Sequence, residues 1–400
     1  MPTPKFNCRT TTLGFLVALV LPAVSLSQDS RGFKFNNLTV SPFVNLEYRY
    51  DSNVNYQKGG GGEEDDNILR INPGVDLSYQ GDMWGLKGDG WYAYDWYNDL
   101  DRLNSDSYGE SLEFYRESAK GWRFVLGESY IRDTENDSLT DGGRGLWRER
   151  EQIDWRAALS YQFSERTSAT LSGQYTDLSY ANDGNQYLPL YGWKEWSTGL
   201  ELARKLSEKS NLLLSGSYQE YTSDGATRVS SDSTGYTLQA GLGSRATERI
   251  KYRALTGASW FDYAEGERLV GWTYSLDGSW VISKKLAASV AGSSQFQPSE
   301  RESNQAVQSY VLSAGLTYRP MRLLTTRFDV AYRREENQFD NVSASGASTD
   351  DRYSLRARAD YQLMRHVTVY GGLEYEDQMS DDSQSEFDRY RATLGLNFRY

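Results

Sequence analysis

From Leu38 onward, apolar and polar residues alternate along the chain with a period of two. Leu38, Val40, Pro42, Val44, Leu46, Tyr48 and Tyr50 share one parity, opposite Asn45, Glu47, Arg49 and Asp51. Leu69, Ile71, Pro73, Val75, Leu77 and Tyr79 stand against Arg70, Asn72, Asp76, Ser78 and Gln80. The pattern returns at Ile153, Trp155, Ala157, Leu159, Tyr161 and Phe163, and again at Val270, Trp272, Tyr274, Leu276, Trp280 and Ile282. It recurs at Tyr310, Leu312, Ala314, Leu316 and Tyr318, and at Tyr353, Leu355, Ala357, Ala359, Tyr361 and Leu363. Successive side chains of a strand point to opposite faces, so each segment predicts a strand with one apolar face. The chain's end is the clearest case. Tyr390, Ala392, Leu394, Leu396, Phe398 and Tyr400 form one face, and Arg389, Arg391, Thr393, Gly395, Asn397 and Arg399 the other.

The connections are of two alternating kinds. Short ones fall at Gln80-Gly81-Asp82, Ser118-Ala119-Lys120, Ser164-Glu165-Arg166, Ser207-Glu208-Lys209, Ala246-Thr247-Glu248, Ser283-Lys284-Lys285, Arg319-Pro320-Met321 and Met364-Arg365-His366. Long, polar, acidic ones fall at 59–66, 99–106, 133–145, 182–187, 340–351 and 377–386. Eight short turns separate nine two-strand units, which predicts about 18 strands. The stretch 99–131 alternates poorly and leaves the count at 16–18. Apolar-out, polar-in strands with short turns at one end and long loops at the other are what a transmembrane β-barrel requires. The predicted fold is therefore all-β, a single antiparallel barrel over residues 38–400 in a bacterial outer membrane, with short periplasmic turns and long outer loops. A soluble sandwich or β-helix also alternates, but buries its apolar face and rarely sustains it over so many similar strands. No composition break marks a second domain.

Composition changes this picture in one respect. With 38% hydrophobic residues and a mean hydropathy of −0.68, hydropathy alone describes a soluble protein. A barrel's lumen, loops and turns are polar, however, and 30 Tyr, 11 Trp and 14 Phe suit aromatic girdles. The N-terminus reads as a secretory signal over residues 1–27. Lys5 and Arg9 precede an apolar run from Leu13 to Leu21, and cleavage falls after Ser25 or Ser27. Residues 28–37 then form a short periplasmic segment. Loss of the signal removes two cations and takes the net charge from −12 to −14. Cys8 is the single cysteine and lies in the signal, outside any lipobox, so neither disulfides nor a thiolate metal site is predicted.

Candidate chemistry is sparse. His366, the single histidine, falls at a short turn rather than near the outer loops where barrel enzymes work. Gly59 to Gly62 precedes Glu63, Glu64, Asp65 and Asp66 but lacks the Gly-Lys-Ser/Thr ending of a phosphate loop. Asp133, Glu135 and Asp137 alternate, but Ser138 stands where a helix-loop-helix calcium site needs glycine. No catalytic residue, metal site, cofactor or nucleic-acid partner is predicted. The lumen faces of the last strands carry Arg352, Arg356, Arg358, Arg389 and Arg391, with Glu374, Glu376 and Asp360 among them and Arg327 and Arg333 one hairpin away. These arginines read either as cross-strand partners of the carboxylates or as a basic strip that attracts anionic solutes.

The segment Ser41-Pro42-Phe43-Val44-Asn45-Leu46-Glu47-Tyr48-Arg49-Tyr50-Asp51-Ser52-Asn53-Val54 resembles the opening of the bacterial Putative beta-barrel porin 2 family. In that family a Ser-Pro start leads through an alternating Tyr strand to Asp-x-Asn-Val. The likeness extends as architecture over the mature chain. It implies an outer-membrane channel assisting the passage of a secreted polysaccharide, with a periplasmic polysaccharide-export protein as partner. Phe398 and Tyr400 look like the terminal aromatic signal read by the barrel-assembly machinery, with outer-membrane lipid and lipopolysaccharide as surroundings. A general small-solute porin and a non-conducting structural or adhesive barrel are the rival readings.

Overall fold

The computed structural model describes residues 32–57, 63–136, 147–181, 192–223, 232–244, 247–263, 268–298, 306–338, 349–381 and 386–400. The signal segment with Cys8, the Gly59-Gly62 run, and Asp137 and Ser138 lie outside the described residues, as do residues 182–191, 339–348 and 382–385 of the long connections.

Nineteen strands form one sheet. They are β1 (Phe33–Phe35), β2 (Leu38–Asp51), β3 (Asp66–Gln80), β4 (Trp84–Tyr97), β5 (Ser105–Glu117), β6 (Trp122–Asn136), β7 (Trp147–Ser164), β8 (Thr167–Tyr180), β9 (Trp193–Lys205) and β10 (Ser210–Ser223). There follow β11 (Ser233–Ser244), β12 (Ile250–Tyr263), β13 (Leu269–Val281), β14 (Leu286–Pro298), β15 (Ala306–Met321), β16 (Leu324–Gln338), β17 (Thr349–Met364), β18 (Val367–Ser380) and β19 (Phe387–Arg399). Each of β2 to β18 pairs antiparallel with the next strand, and β19 pairs with β2, so 18 strands close into a barrel. A 3-10 turn at Asp101–Leu103 is the helical element among the described residues.

β1 lies outside the ring and pairs with the start of β2, Phe33 opposite Val40. β19 covers β2 only from Phe43 upward, so β1 occupies the edge that β19 leaves open. The hairpin between β1 and β2 turns at Asn36 with φ +54°, a left-handed conformation that asparagine tolerates.

The register puts the apolar parity outside. Leu394, 62% exposed, stands opposite Tyr48 on β2, and Ala392 opposite Leu373 on β18. Aromatic contacts mark two bands. Near the short turns Trp84 lies 6.1 Å from Phe114, and Trp122 stacks on Tyr161 at 4.1 Å. Near the long loops Tyr108 meets Tyr130, Tyr236 stacks on Trp260, Tyr332 meets Tyr353 and Tyr375 meets Tyr390. Between the bands the outward positions are mostly apolar, Glu110 and Glu128 excepted, the geometry a lipid-facing wall needs.

Two local expectations are adjusted. The turn read at Arg319-Pro320-Met321 falls at Arg322 and Leu323 instead, because β15 runs to Met321 through an irregular register between Tyr318 and Met321. Pro320 sits in that irregularity, where a missing backbone N–H breaks no ladder bond. The poorly alternating stretch 99–131 holds β5 and most of β6 as ordinary strands. Its pattern is blurred because Glu110 and Glu128 lie on the outer parity, opposite Tyr130 and Leu112, while Gly109, Val125, Gly127 and Ile131 take the lumen parity.

The face assignment makes a direct prediction for the protein in a bilayer. Leu394→Arg will destabilise the barrel by about 2–4 kcal/mol in lipid-based unfolding, as expected near mid-membrane. Thr393→Arg, on the lumen face opposite Arg49, will cost less than about 1 kcal/mol, the size of one like-charge cross-strand contact. Equal losses for the two would contradict the register.

Candidate functional site: the barrel lumen

The lumen is organised first by the seam between β2 and β19. Ser52 extends the ladder beyond β2 by exchanging bonds with Tyr390: its N–H donates to the Tyr390 carbonyl at 3.0 Å, and its Oγ accepts from the Tyr390 N–H at 2.8 Å. The chain then turns into the lumen. Asn53 donates to the carbonyls of Asp388 and Gln57 at 2.8 and 2.7 Å and accepts from the Gln57 N–H at 3.1 Å. Val54, fully buried, packs with Ile68, Tyr97 and Leu103. Each residue of the Asp51-Ser52-Asn53-Val54 opening motif thus joins the two ends of the chain or anchors the segment between them.

At the heart of the seam Arg389 grips Asp51 with two guanidinium nitrogens, one at 2.7 Å, and both side chains are nearly inaccessible, at 5% and 0% exposure. Such a forked pair is the strongest geometry an arginine and a carboxylate adopt. Tyr56 lies over the guanidinium at 4.2 Å and packs edge-on against Phe387 at 5.0 Å. Its backbone has φ +53°, unusual for tyrosine, and these contacts hold it there.

All five arginines of the predicted strip sit on the lumen faces of β17 and β19, and each has a partner. Arg391 reaches Glu374 at 2.7 Å and Glu376 at 3.6 Å, while Arg356 bonds Glu374 and approaches Glu376 at 3.4 Å. Arg358 meets Asp360 at 2.9 Å and lies 4.0 Å above the Tyr370 ring. Arg352 donates to the Gln378 side-chain oxygen at 2.8 Å. Asp360 also draws Arg327 to 3.7 Å, which reconciles the direct opposition of Arg327 and Arg358 in the register. Asp51 joins Glu374, Glu376 and Asp360 as an acceptor that sequence reasoning missed, although its place at the end of the opening strand was a signal. The five arginines and Arg327 thus share these four carboxylates and the Gln378 amide oxygen. Arg356 and Arg358 keep the most open side chains, 57% and 44% exposed.

The opposite wall differs. The lumen parity of β8 carries Ser168, Thr170, Ser172 and Gln174, that of β10 Ser215, Ser217 and Gln219, and that of β14 Ser289 and Ser293. Charges are few on this side, and Arg253 pairs with Glu201 from β12 to β9. Near the long loops the lumen parity turns apolar. Leu178, Tyr180, Trp193 and Tyr221 form one buried cluster, and Phe261 and Tyr263 form another with Phe296, an outer-parity residue turned inward. Aromatics at polar-parity positions beside long loops were the sequence signal for these clusters. His366 lies at the other end, its ring stacked on Tyr400 at 5.0 Å. Among the described residues no three His, Cys, Asp or Glu side chains are grouped to hold a metal.

A closed 18-stranded barrel with a polar, ion-paired lumen defines a porin-like protein. The chain belongs to the family described as Putative beta-barrel porin 2, whose model matches residues 28–400. Among curated proteins none matches the chain in sequence. Similar solved structures include a mutant of the ferric enterobactin receptor PfeA from Pseudomonas aeruginosa, 8% identical with a TM-score of 0.49 over 90% of this chain and 80% of that one. The siderophore receptor PiuA from Acinetobacter baumannii is 11% identical with a TM-score of 0.47 over 92% and 82%. At such identities and scores the likeness carries no functional argument.

The seam is open to test. Arg389→Gln will destabilise the protein by about 3–5 kcal/mol, because it strands the buried Asp51 carboxylate. Arg356→Gln, at an open pair, will cost below about 1 kcal/mol. Unfolding in lipid vesicles, checked by heat-modifiable gel migration, measures both. A cost for Arg389→Gln no larger than for Arg356→Gln would refute the lock.

Proposed function

We propose that the protein is an outer-membrane channel, with the short turns in the periplasm and the long loops outside. It works passively, through a hydrated pore and without covalent chemistry. The observation that carries this reading is the 18-strand closure around a polar lumen. A barrel of this strand number encloses an aqueous channel unless loops fill it. Passage of a polysaccharide, implied by the family resemblance, is the cargo reading we favour. The hydroxyl- and amide-bearing wall of β8, β10 and β14 supports it, because such groups exchange hydrogen bonds with a polyhydroxylated chain as it moves. Pairing of the lumen arginines supports it too, since it lowers the field that an uncharged cargo meets. A periplasmic polysaccharide-export protein would deliver the cargo. Phe398 and Tyr400 would engage the barrel-assembly machinery, and the outer rim would face lipopolysaccharide. A general small-solute porin is the second reading, favoured by the same lumen without reference to a polymer.

Planar-bilayer recording tests the channel. We expect discrete conductance steps with a mild anion preference, set by the open Arg356 and Arg358. The double variant Arg356→Gln with Arg358→Gln will shift the reversal potential in a salt gradient toward cations. Liposome swelling with sugars of graded length separates the two cargo readings: continued entry of long oligosaccharides favours the polymer, and a sharp cut-off at small sugars favours the general porin. Absence of any conductance from correctly folded protein would leave a structural or adhesive barrel.

A further inference from the structure

The wall is not uniformly sealed. β13 and β14 pair only from Tyr274 opposite Ser294 down to Val281 opposite Ala287. Above that level β13 continues to Leu269, paired with β12 alone, and β14 continues to Pro298, paired with β15 alone. Side chains stand in for the missing ladder. Thr273 Oγ1 donates to the Ser294 carbonyl at 2.5 Å, and Ser294 Oγ and Gln308 Nε2 donate to the Trp272 carbonyl at 3.4 Å.

β14 turns inward at Phe296. By parity Phe296 and Gln308 belong to the outer face, yet Phe296 packs against the lumen-face Phe261 at 5.7 Å. A Cβ on lumen-face Gly271 would lie 2.6 Å from the Phe296 ring, so glycine is required there. The withdrawal uncovers the neighbouring strand. Trp272 and Val270 on the outer face of β13 are 73% and 67% exposed, the highest values among the large apolar side chains of the described wall.

Hydroxyls collect at the same place. Ser259 and Tyr263 flank Phe261 on β12, Ser233 stands opposite Tyr263 on β11, and Ser309 is next to Gln308 on β15. All four residues are buried, Ser259 and Ser309 at 2% exposure, and none of the four hydroxyls has a hydrogen-bond partner. A buried hydroxyl left unbonded carries a desolvation penalty that a ligand's polar group would relieve.

We propose that this shingled seam is a side port that binds a single-chain acyl amphiphile from the bilayer. Its chain lies over Trp272 and Val270 and displaces the Phe296 ring, and its polar head bonds the hydroxyls of Ser259 and Ser309. The exposed Trp272 and Val270 outside, with the Phe296 and Phe261 rings packed together behind, select an acyl chain, and the unpartnered hydroxyls select a head rich in hydrogen-bonding atoms. This site goes beyond the channel reading and does not require the pore to conduct.

The test uses full-length protein in a sterol-based detergent free of acyl chains, titrated with dansyl-undecanoic acid and read by energy transfer from tryptophan. We expect saturable binding of one probe per chain, competed by unlabelled palmitate. Ser259→Val with Ser309→Val will weaken it about tenfold, and Phe296→Ala will speed association while the protein still migrates as folded. Unsaturable transfer, or affinity within twofold of wild type in the folded double serine variant, overturns the proposal. Conductance recorded on the same preparations separates the readings: binding without conductance strikes the channel alone, and conductance without binding strikes the port alone.

Discussion

An unpaired strand edge leaves a row of backbone N–H and C=O groups without partners, so in a closed barrel every edge must meet another edge. The rest of this structure depends on that constraint. Seventeen of the ring's ladders join strands that follow one another in sequence, which makes them local in the chain. The eighteenth, β19 to β2, joins residues more than three hundred positions apart, and its closure entropy is correspondingly large. The structure concentrates its most specific interactions there: the Asp51–Arg389 fork, the Ser52–Tyr390 exchange, and the Asn53 bond to the Asp388 carbonyl. β1 completes the edge that β19 does not reach. This barrel is therefore held closed by the two ends of its chain.

The same economy shapes the lumen. Charges that water would screen elsewhere sit against one another on β16 to β19, and each arginine of the strip is placed within reach of a carboxylate or an amide oxygen. The opposite wall carries hydroxyls and amides instead, and buried aromatic clusters lie near the long loops. Arg389 belongs to the seam rather than to the water column, while Arg356 and Arg358 remain open to it.

Much of this was legible in the sequence, and for a clear reason. In a barrel the period-two pattern has to recur on every strand, so Leu394 outside and Thr393 inside follow from parity alone, and the short turns set the strand count. Three features escaped because they break parity. Glu110 and Glu128 face outward and blurred β5 and β6. Phe261, Tyr263 and Trp193 face inward near the long loops, at positions the alternation assigns to polar side chains. Phe296 holds an outer-parity position but turns inward, because its strand leaves the ladder above Ser294. The motif Asp51-Ser52-Asn53-Val54 was visible as a family likeness, but its partners Arg389 and Asp388 lie at the far end of the chain, and spacing alone does not reveal contacts across that separation.

Closure of the ring at this register is the central claim, and an engineered disulfide tests it most directly. Leu46 and Leu396 stand directly opposite on the outer faces of β2 and β19, a separation that a disulfide spans in an antiparallel pair. In a background with Cys8 replaced by serine, Leu46→Cys with Leu396→Cys will cross-link on mild oxidation of the assembled protein, whereas Leu46→Cys with Leu394→Cys will cross-link poorly. Preferential bonding of the shifted pair, or none from either pair in folded protein, would contradict the seam described.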